Sequence, residues 1–353
     1  MSVARAQPRL IIPAALTALL AGTLAQGADV IDERSLVRGF DVAQFLRADA
    51  GFSEGEIQRV VRGEVVSRGL DADDETVALA AAAVIRVTPS FFLDQVRRIE
   101  EFKKSAEVLQ VARLGVPPSA ADFARLTLDE GDLEAVRRCR PGDCDMKLDD
   151  RGIDRMHSLP DTADVMTHLR AHLAEYAAAY LQQGNAALMT YHDHGKPSTL
   201  FGELQRILKA SPYIAREWPD LYGAVANFSG KLPGGVQDFA YWSKEKVGPR
   251  TSMTVTHVII RPPVDGIALI ASKQIYASHY STASLGLTVL VDQGTAADPK
   301  TLLVYINRTR VDMFGGLLGS VKRTVVRSRA KSGAERMMTA LRTRLEHGVH
   351  GKD

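Results

Sequence analysis

Apolar and polar residues alternate along the last third of the chain, the pattern of strands that bury one face. Turn-forming residues divide this region into four strand candidates, which predict an antiparallel meander: 251–263, 266–280, 284–294 and 300–311. Two shorter strands are predicted around the acidic turn Asp71–Glu75, although the alanines at 80–83 could equally begin a helix. Segment 107–115 is a further strand candidate.

A different spacing, of three and four residues, predicts the helices. Thr88 and Pro89 provide an N-cap and a first helical residue for a segment with Phe92, Val96 and Ile99 on one face. A long helix is predicted within 161–185, ending at Gly184. The chain closes with a helix from about Gly316 to His347. The predicted class is therefore α+β, an antiparallel sheet with a long C-terminal helix and a helical insertion at about 115–240.

The first residues have the pattern of a secretory signal peptide. Arg5 and Arg9 precede an apolar run of about 16 residues, which small residues suited to cleavage follow. The run is short for a helix that must cross a bilayer. We therefore expect residues 1–28 to be a signal peptide, residues 29–353 to form a single domain, and the protein to be periplasmic or secreted.

Cys139 and Cys144, the only two cysteines, flank a Pro-Gly-Asp turn. In an oxidising compartment this spacing favours a disulfide, and Pro141-Gly142 suits the centre of a type II turn. A redox motif would have C-x-x-C spacing, and a zinc site would need further ligands. We expect a local disulfide bond.

Composition and charge limit the classes of partner that the protein is expected to bind. With 45% hydrophobic and 24% charged residues, the chain has an ordinary globular composition. Residues 320–353 carry nine basic and three acidic side chains, so an anionic membrane surface is one partner to consider. Solvated helix faces explain such a charge run equally well. An exported protein is not expected to meet nucleic acid.

Motifs for catalysis and metal binding are sparse. His168 and His172 have i,i+4 spacing and His192, Asp193 and His194 follow, but no H-E-x-x-H is present, and we expect neither a metal nor a cofactor. Ser243 to Lys246 matches S-x-x-K without its companion motifs, and G-x-S-x-G and G-x-G-x-x-G are absent.

Segments 81–111 and 302–323 together resemble the helix-grip fold of START-like lipid-transfer and polyketide-cyclase proteins, which belong to the SRPBCC superfamily. Segment 81–111 resembles that superfamily's first strand, short helices and second strand, and segment 302–323 resembles its last strand and closing helix. "SKQIYASHY" and "NRTRVD" are also similar to exported bacterial proteins of unassigned function. The resemblance implies a cavity between the sheet and the last helix that holds an apolar or amphipathic ligand.

Six residues are candidates to bind that ligand. His257 shares a strand face with apolar neighbours, as a hydrogen-bonded core imidazole or as a ligand-orienting group or base. The alternation of apolar and polar residues is ambiguous around Lys273, Tyr276 and His279, because either strand face would be unusually polar for a core. This indicates a water-filled cavity or a sheet edge that carries polar side chains. Arg308 and Arg310 share a face and could clamp an anionic head group or pair with Asp312.

We therefore expect an exported cell-envelope protein that binds a lipid-like small molecule. One alternative is a hydrolase or cyclase that uses His257 or the His192/His194 group in a similar cavity. Another is an envelope interaction protein that uses the basic C-terminal helix.

Overall fold

The computed structural model describes residues 36–37, 40–160, 162–193, 195–247, 250–312 and 319–350. The predicted signal peptide, His194 and the first residues of the predicted C-terminal helix (316–318) lie outside these ranges. Among the described helices, none is long and apolar enough to cross a membrane.

Eight antiparallel strands form the main sheet, in the order β3-β4-β12-β11-β10-β9-β8-β5. Two pairs of short strands, β1-β2 and β6-β7, lie outside it. The strands are β1 (Leu36–Val37), β2 (Phe40–Asp41), β3 (Val66–Gly69), β4 (Thr76–Ile85), β5 (Val108–Arg113), β6 (Thr190–Tyr191), β7 (Ser198–Thr199), β8 (Gln237–Lys246), β9 (Thr251–Val264), β10 (Ile267–Ala277), β11 (Ser281–Asp292) and β12 (Thr301–Val311).

Helices lie before, between and after these strands. Short π- and 3-10 turns occupy Phe45–Asp49, Ala120–Phe123 and Gly184–Ala187. The α-helices are α1 (Val42–Gln44), α2 (Glu54–Val61), α3 (Pro89–Arg97), α4 (Ile99–Phe102), α5 (Glu130–Arg138), α6 (Asp150–His157), α7 (Val165–Gln183), α8 (Leu200–Lys209), α9 (Pro212–Glu217), α10 (Pro219–Ala226) and α11 (Gly319–His350).

One face of the sheet, which we call the helix face, packs against α3, α4 and α11. Its apolar half contains Ile260, Ile270, Leu290 and Leu303, which are buried with residues of these helices. The C-terminal helix α11 packs on the edge strand β3 and its neighbour β4, and α3 lies over β9, β10 and β11. The two helices therefore cover different parts of this face.

The other face, the insertion face, lies under the helices between β5 and β8 and under the N-terminal helices. Two apolar cores form here. The first joins α8–α10 and the N-terminal segment to the centre of the sheet, and the second joins α5–α7 and the disulfide loop to β8–β10. Alternate side chains of each strand are thus buried on opposite faces of the sheet, and different helices cover the two faces.

The predicted α+β class, antiparallel sheet and C-terminal helix are confirmed. Ala80–Ala83 belong to strand β4 and not to a helix. The long central helix ends at Gly184, whose φ of +69° and close approach to the backbone of Phe228 leave no room for a side chain. Strand β8 was not predicted, because its polar end, Ser243 to Lys246, hides the alternation.

Candidate functional site

His257 and Lys273 lie on the insertion face, not between the sheet and the C-terminal helix where we expected them. The register pairs the two residues on β9 and β10, and neither is exposed. The odd positions of β9 do share one face, as predicted, but the helical insertion covers that face. Alternation identifies the two faces without indicating which helices cover them.

His257 is fully hydrogen-bonded. Its Nε2 lies 2.8 Å from Asp238 Oδ2, and its Nδ1 lies 2.9 Å from the hydroxyl of Tyr180. Because a carboxylate only accepts, we assign the proton to Nε2, and Nδ1 then accepts from Tyr180. Burial lowers the pKa of His257, and the hydrogen bond to Asp238 opposes this shift. The residue therefore has the geometry of a satisfied core imidazole, with no free nitrogen for a ligand.

Lys273 is fully buried beside His257. Its Nζ donates to Asn185 Oδ1 at 2.8 Å and lies 4.9 Å from the ring centre of Tyr180 and 5.2 Å from that of Phe228. No carboxylate among the described residues pairs with it. Burial lowers the pKa of Lys273 to about 7, since the charged form is desolvated.

Tyr276 and His279 lie at the end of β10, beside the insertion. A register shift between Gln274 and Tyr276 places both Ile275 and Tyr276 in the insertion-face core, which explains the ambiguous alternation of this segment. The Tyr276 hydroxyl donates to the carbonyl of Lys147 at 2.9 Å. The buried His279 has its Nε2 3.3 Å from Asp132 Oδ2.

Arg308 and Arg310 also point to the insertion face. Arg308 donates to the carbonyl of Asp71 at 3.1 Å. Arg310, 3% exposed, binds Glu203 Oε2 through Nε at 2.6 Å, Asp73 Oδ2 through Nη1 at 2.7 Å and Glu75 Oε2 through Nη2 at 2.5 Å. The pairing with Asp312 that we considered is not formed. Arg310 joins the insertion, through α8, to the turn between β3 and β4.

Hydroxyl and amide side chains cover the half of the helix face that lies next to the β10–β11 turn. They belong to neighbouring strands and remain partly exposed in the middle of the sheet: Thr254, Ser272, Ser284, Asn307 and Thr309. Ser284, Asn307 and Thr309 form a ring of hydrogen bonds of 2.8 to 3.2 Å. The neighbouring Gln274 is 7% exposed, and its Nε2 has no partner. We call this region the polar floor.

An ion pair and two tyrosines border the polar floor. Lys103 Nζ lies 2.5 Å from Glu245 Oε1 and 5.5 Å from the ring centre of Tyr241. Both charged side chains keep 22 to 23% of their surface exposed. Although burial opposes it, the carboxylate of Glu245 raises the pKa of Lys103. Burial raises the pKa of Tyr305 to about 12.

Tyr305 on β12 lies over the neighbouring strand β11. A Cβ at Gly286 would lie 3.1 Å from the Tyr305 ring, which occupies that space instead. The charge of Lys103 lowers the pKa of Tyr305, against the larger effect of burial. Tyr305 and the Lys103–Glu245 ion pair therefore border the polar floor.

The predicted disulfide between Cys139 and Cys144 is present. Gly142 has a φ of +82°, as a type II turn requires. The amides of Gly142 and Cys144 donate to the carbonyls of His192 and Asp193 at 2.7 and 2.8 Å. The bond thus does more than close a local turn, since its loop holds a distant segment.

Two of the histidines considered for metal binding, His172 and His192, line a cavity of about 410 Å³ under α7, whereas His168 is not part of its lining. His172 Nε2 lies 3.1 Å from Asp149 Oδ1 without hydrogen-bond alignment, and His192 Nδ1 lies 2.5 Å from Asp150 Oδ1. Within the described ranges, no three histidine, cysteine or acidic side chains are grouped to hold a metal ion. His194 lies outside those ranges.

Much of the basic charge of α11 is engaged with the rest of the fold. Arg327 donates to the carbonyls of Ala72, Asp73 and Thr76, Arg342 to that of Gly63, and Arg344 to those of Glu101, Phe102 and Lys104. These arginines satisfy carbonyls at turns and helix ends. Arg329, Lys331 and Arg336 remain exposed on this helix.

The sequence analysis missed Lys103, Lys147 and Tyr305. Lys103 lies in the charged run "EEFKKS", which the sequence suggests is exposed. Nothing in this run distinguishes Lys103 from the adjacent Lys104, and the difference between them is visible only in the fold. Lys147 lies three residues after Cys144. The predicted disulfide was the one sequence feature that indicated an ordered segment around Lys147.

Comparison of the chain with protein-family models, curated proteins and solved structures finds no match.

Proposed function

We propose that the protein binds a small amphipathic molecule on the helix face, with its polar part on the polar floor and its apolar part toward α3 and α11. The observation that carries this proposal is a group of hydroxyl and amide side chains left partly exposed in the middle of the sheet, beside the Lys103–Glu245 ion pair. A concave shape of the sheet at this point is part of the proposal. Sheet centres are usually covered by apolar packing, and a concave surface with a few convergent polar groups is typical of ligand sites.

The helix-grip resemblance agrees with this proposal. Strand β4 pairs with the last strand, β12, and the α3–α4 pair leads from β4 to β5 at the opposite edge. That arrangement is what the resemblance implies for the first and last strands of the sheet. Closure of the concave surface by α11 belongs to the proposal, since α11 packs on β3 and β4.

The compartment we propose is the cell envelope or its exterior. Support comes from the pattern of residues 1–28 and from the disulfide, because disulfides persist in oxidising compartments. The ligand would then be an envelope lipid or a molecule of similar amphipathic character.

Two adjacent lysines provide a matched test. Lys103→Met removes the cation at the border of the polar floor, whereas Lys104→Met changes an exposed lysine that pairs with Glu101. We expect Lys103→Met to weaken uptake of a fluorescent fatty acid at least fivefold and Lys104→Met to leave it unchanged. Native mass spectrometry of the exported protein should also show a co-purified small molecule. Absence of both uptake and a co-purified molecule would refute the proposal.

The second candidate function is hydrolysis in the cavity under α7. The observation that favours it is the contact between His192 Nδ1 and Asp150, since a carboxylate on Nδ1 leaves Nε2 to act as a base. His192→Gln should then abolish any hydrolysis of p-nitrophenyl esters that the wild-type protein shows. An unchanged rate in this variant would exclude His192 as the base.

A further inference from the structure

A second pocket, of about 610 Å³, lies at the end of the sheet on the insertion side, around the β10–β11 turn, and shares no lining residue with the polar floor. Its walls come from the segment after the disulfide, the turns β8–β9 and β10–β11, the ends of β4 and β12, and α8. This volume falls within the ~300–1,000 Å³ typical of ligand pockets. We call it the end pocket.

Buried ion pairs fix the walls of the end pocket. Lys147, 3% exposed, pairs with Asp193 at 2.6 Å and with Asp312, and Arg310 is held by its three carboxylates. Removing one partner of such a pair leaves an uncompensated charge, so these groups are costly to rearrange. Lys147 and Arg310 with their carboxylate partners therefore form rigid walls. A ligand would bind to charged groups of the pocket that are not already paired in this way.

Among the described residues, three exposed or half-exposed charged groups of the end pocket are weakly paired or unpaired: Arg250, Asp145 and Lys196. Arg250 is about half exposed, and its guanidinium contacts carboxylates only at 3.5 Å, to Asp145, and 3.8 Å, to Asp132. Asp145 is 56% exposed, and Arg250 is the basic side chain that contacts it. The exposed Lys196, also in the lining, forms no ion pair within the described part of the chain.

The position of these groups limits the ligand. Since Arg250 and Asp145 lie side by side, a molecule that engages both must carry its own anion and cation a few bonds apart. Such a molecule can replace a weak, long ion pair with two charge-assisted hydrogen bonds, which are shorter and stronger. A purely anionic ligand would instead meet Asp145, Asp193 and Asp312 in the same pocket.

We propose that the end pocket binds a small zwitterion, its anionic group on Arg250 and Lys196 and its ammonium on Asp145. A free α-amino acid and an ethanolamine-phosphate head group share this chemistry. The site is independent of the polar floor, because it lies on the other side of the sheet and uses none of the same residues.

Isothermal titration of the disulfide-intact protein with twenty free amino acids and with phosphoethanolamine tests this proposal. At least one of them should bind, and acetylating its amine, or amidating or esterifying its anionic group, should each weaken binding at least tenfold. Binding of amino acids alone would identify a free-metabolite site, and binding of phosphoethanolamine alone would identify a head-group site. Equal binding of the blocked analogues, or no binding by any of the panel, would overturn the proposal.

Two variants with matched controls locate the site. Arg250→Ala and Asp145→Asn should each weaken binding about tenfold or more without changing the melting temperature, because both side chains are half exposed. The controls are Arg329→Ala on α11 and Asp143→Asn in the disulfide turn, which lie outside the pocket lining and should bind like the wild type. Wild-type affinity in both Arg250→Ala and Asp145→Asn would also overturn the assignment.

Discussion

The two faces of the sheet differ in the exposure of their polar side chains. On the insertion face, Lys273 and His257 are completely buried and take every contact from inside the protein. On the helix face, the hydroxyls and amides of the polar floor remain partly exposed. A buried, hydrogen-bonded polar group specifies how the core packs, whereas a partly exposed one on the sheet surface is available to a ligand. Substitutions on the two faces should therefore affect different measurements.

Lys273 should have the largest effect, through the pH dependence of stability. Its folded-state pKa of about 7 lies below the unfolded value of 10.5, so the unfolded chain binds more protons between these pH values. The free energy of unfolding then rises with pH by ~1.4 kcal/mol per unit, or about 3 kcal/mol from pH 7 to 9.5. Urea unfolding should show this rise in the wild type and in the exposed control Lys104→Met, but not in Lys273→Met. Equal slopes in all three proteins would show that Lys273 is not held neutral.

Arg310 should have the next largest effect. Arg310→Met leaves the largely buried Glu203 with its longer ion pair to Arg206, at 3.7 Å, while Asp73 and Glu75 remain solvated. We expect a loss of about 2 to 3 kcal/mol in the free energy of unfolding, less than for a fully buried pair. Uptake of a fluorescent fatty acid should not change, because Arg310 lies on the insertion face. Lost uptake with unchanged stability would instead assign Arg310 to the ligand site.

Removal of the disulfide should have a smaller effect. Cys139 and Cys144 are five residues apart, and a loop of this length stabilises by about 2 kcal/mol. The Cys139→Ala/Cys144→Ala double variant should lose about this much in chemical unfolding, and thiol counting on unreduced, denatured wild type should find no free thiol. Two reactive thiols in the exported wild-type protein would contradict the disulfide.

Local patterns account for much of the fold and for little of the candidate site. The alternation of 251–311 predicts the meander because each strand buries one set of side chains beneath helices. The same alternation places His257 with Met253 and Val255, yet whether helix α7 or α11 covers that set depends on contacts between distant segments. The polar floor joins side chains from four strands, and single-sequence periodicity carries no information about such neighbours.

Arg310 shows the same limit at a single residue. Its position beside Arg308 on one strand face was predictable, but its partners come from Asp73, Glu75 and Glu203, more than 100 positions away. Asp312, the nearest acidic residue in sequence on that side, pairs with Lys147 instead. Proximity in sequence suggested Asp312 as the partner of Arg310, whereas the folded chain brings other carboxylates to it.

Titration of a fluorescent fatty acid against Ser272→Phe is the most direct test of the proposed ligand site. Ser272 lies in the middle of the polar floor and is partly exposed, so a phenylalanine there fills the proposed ligand site without disturbing the insertion-face core. We predict at least tenfold weaker uptake than in the wild type, with a melting temperature within about two degrees of it. Undiminished uptake by a folded Ser272→Phe protein would contradict binding on the helix face.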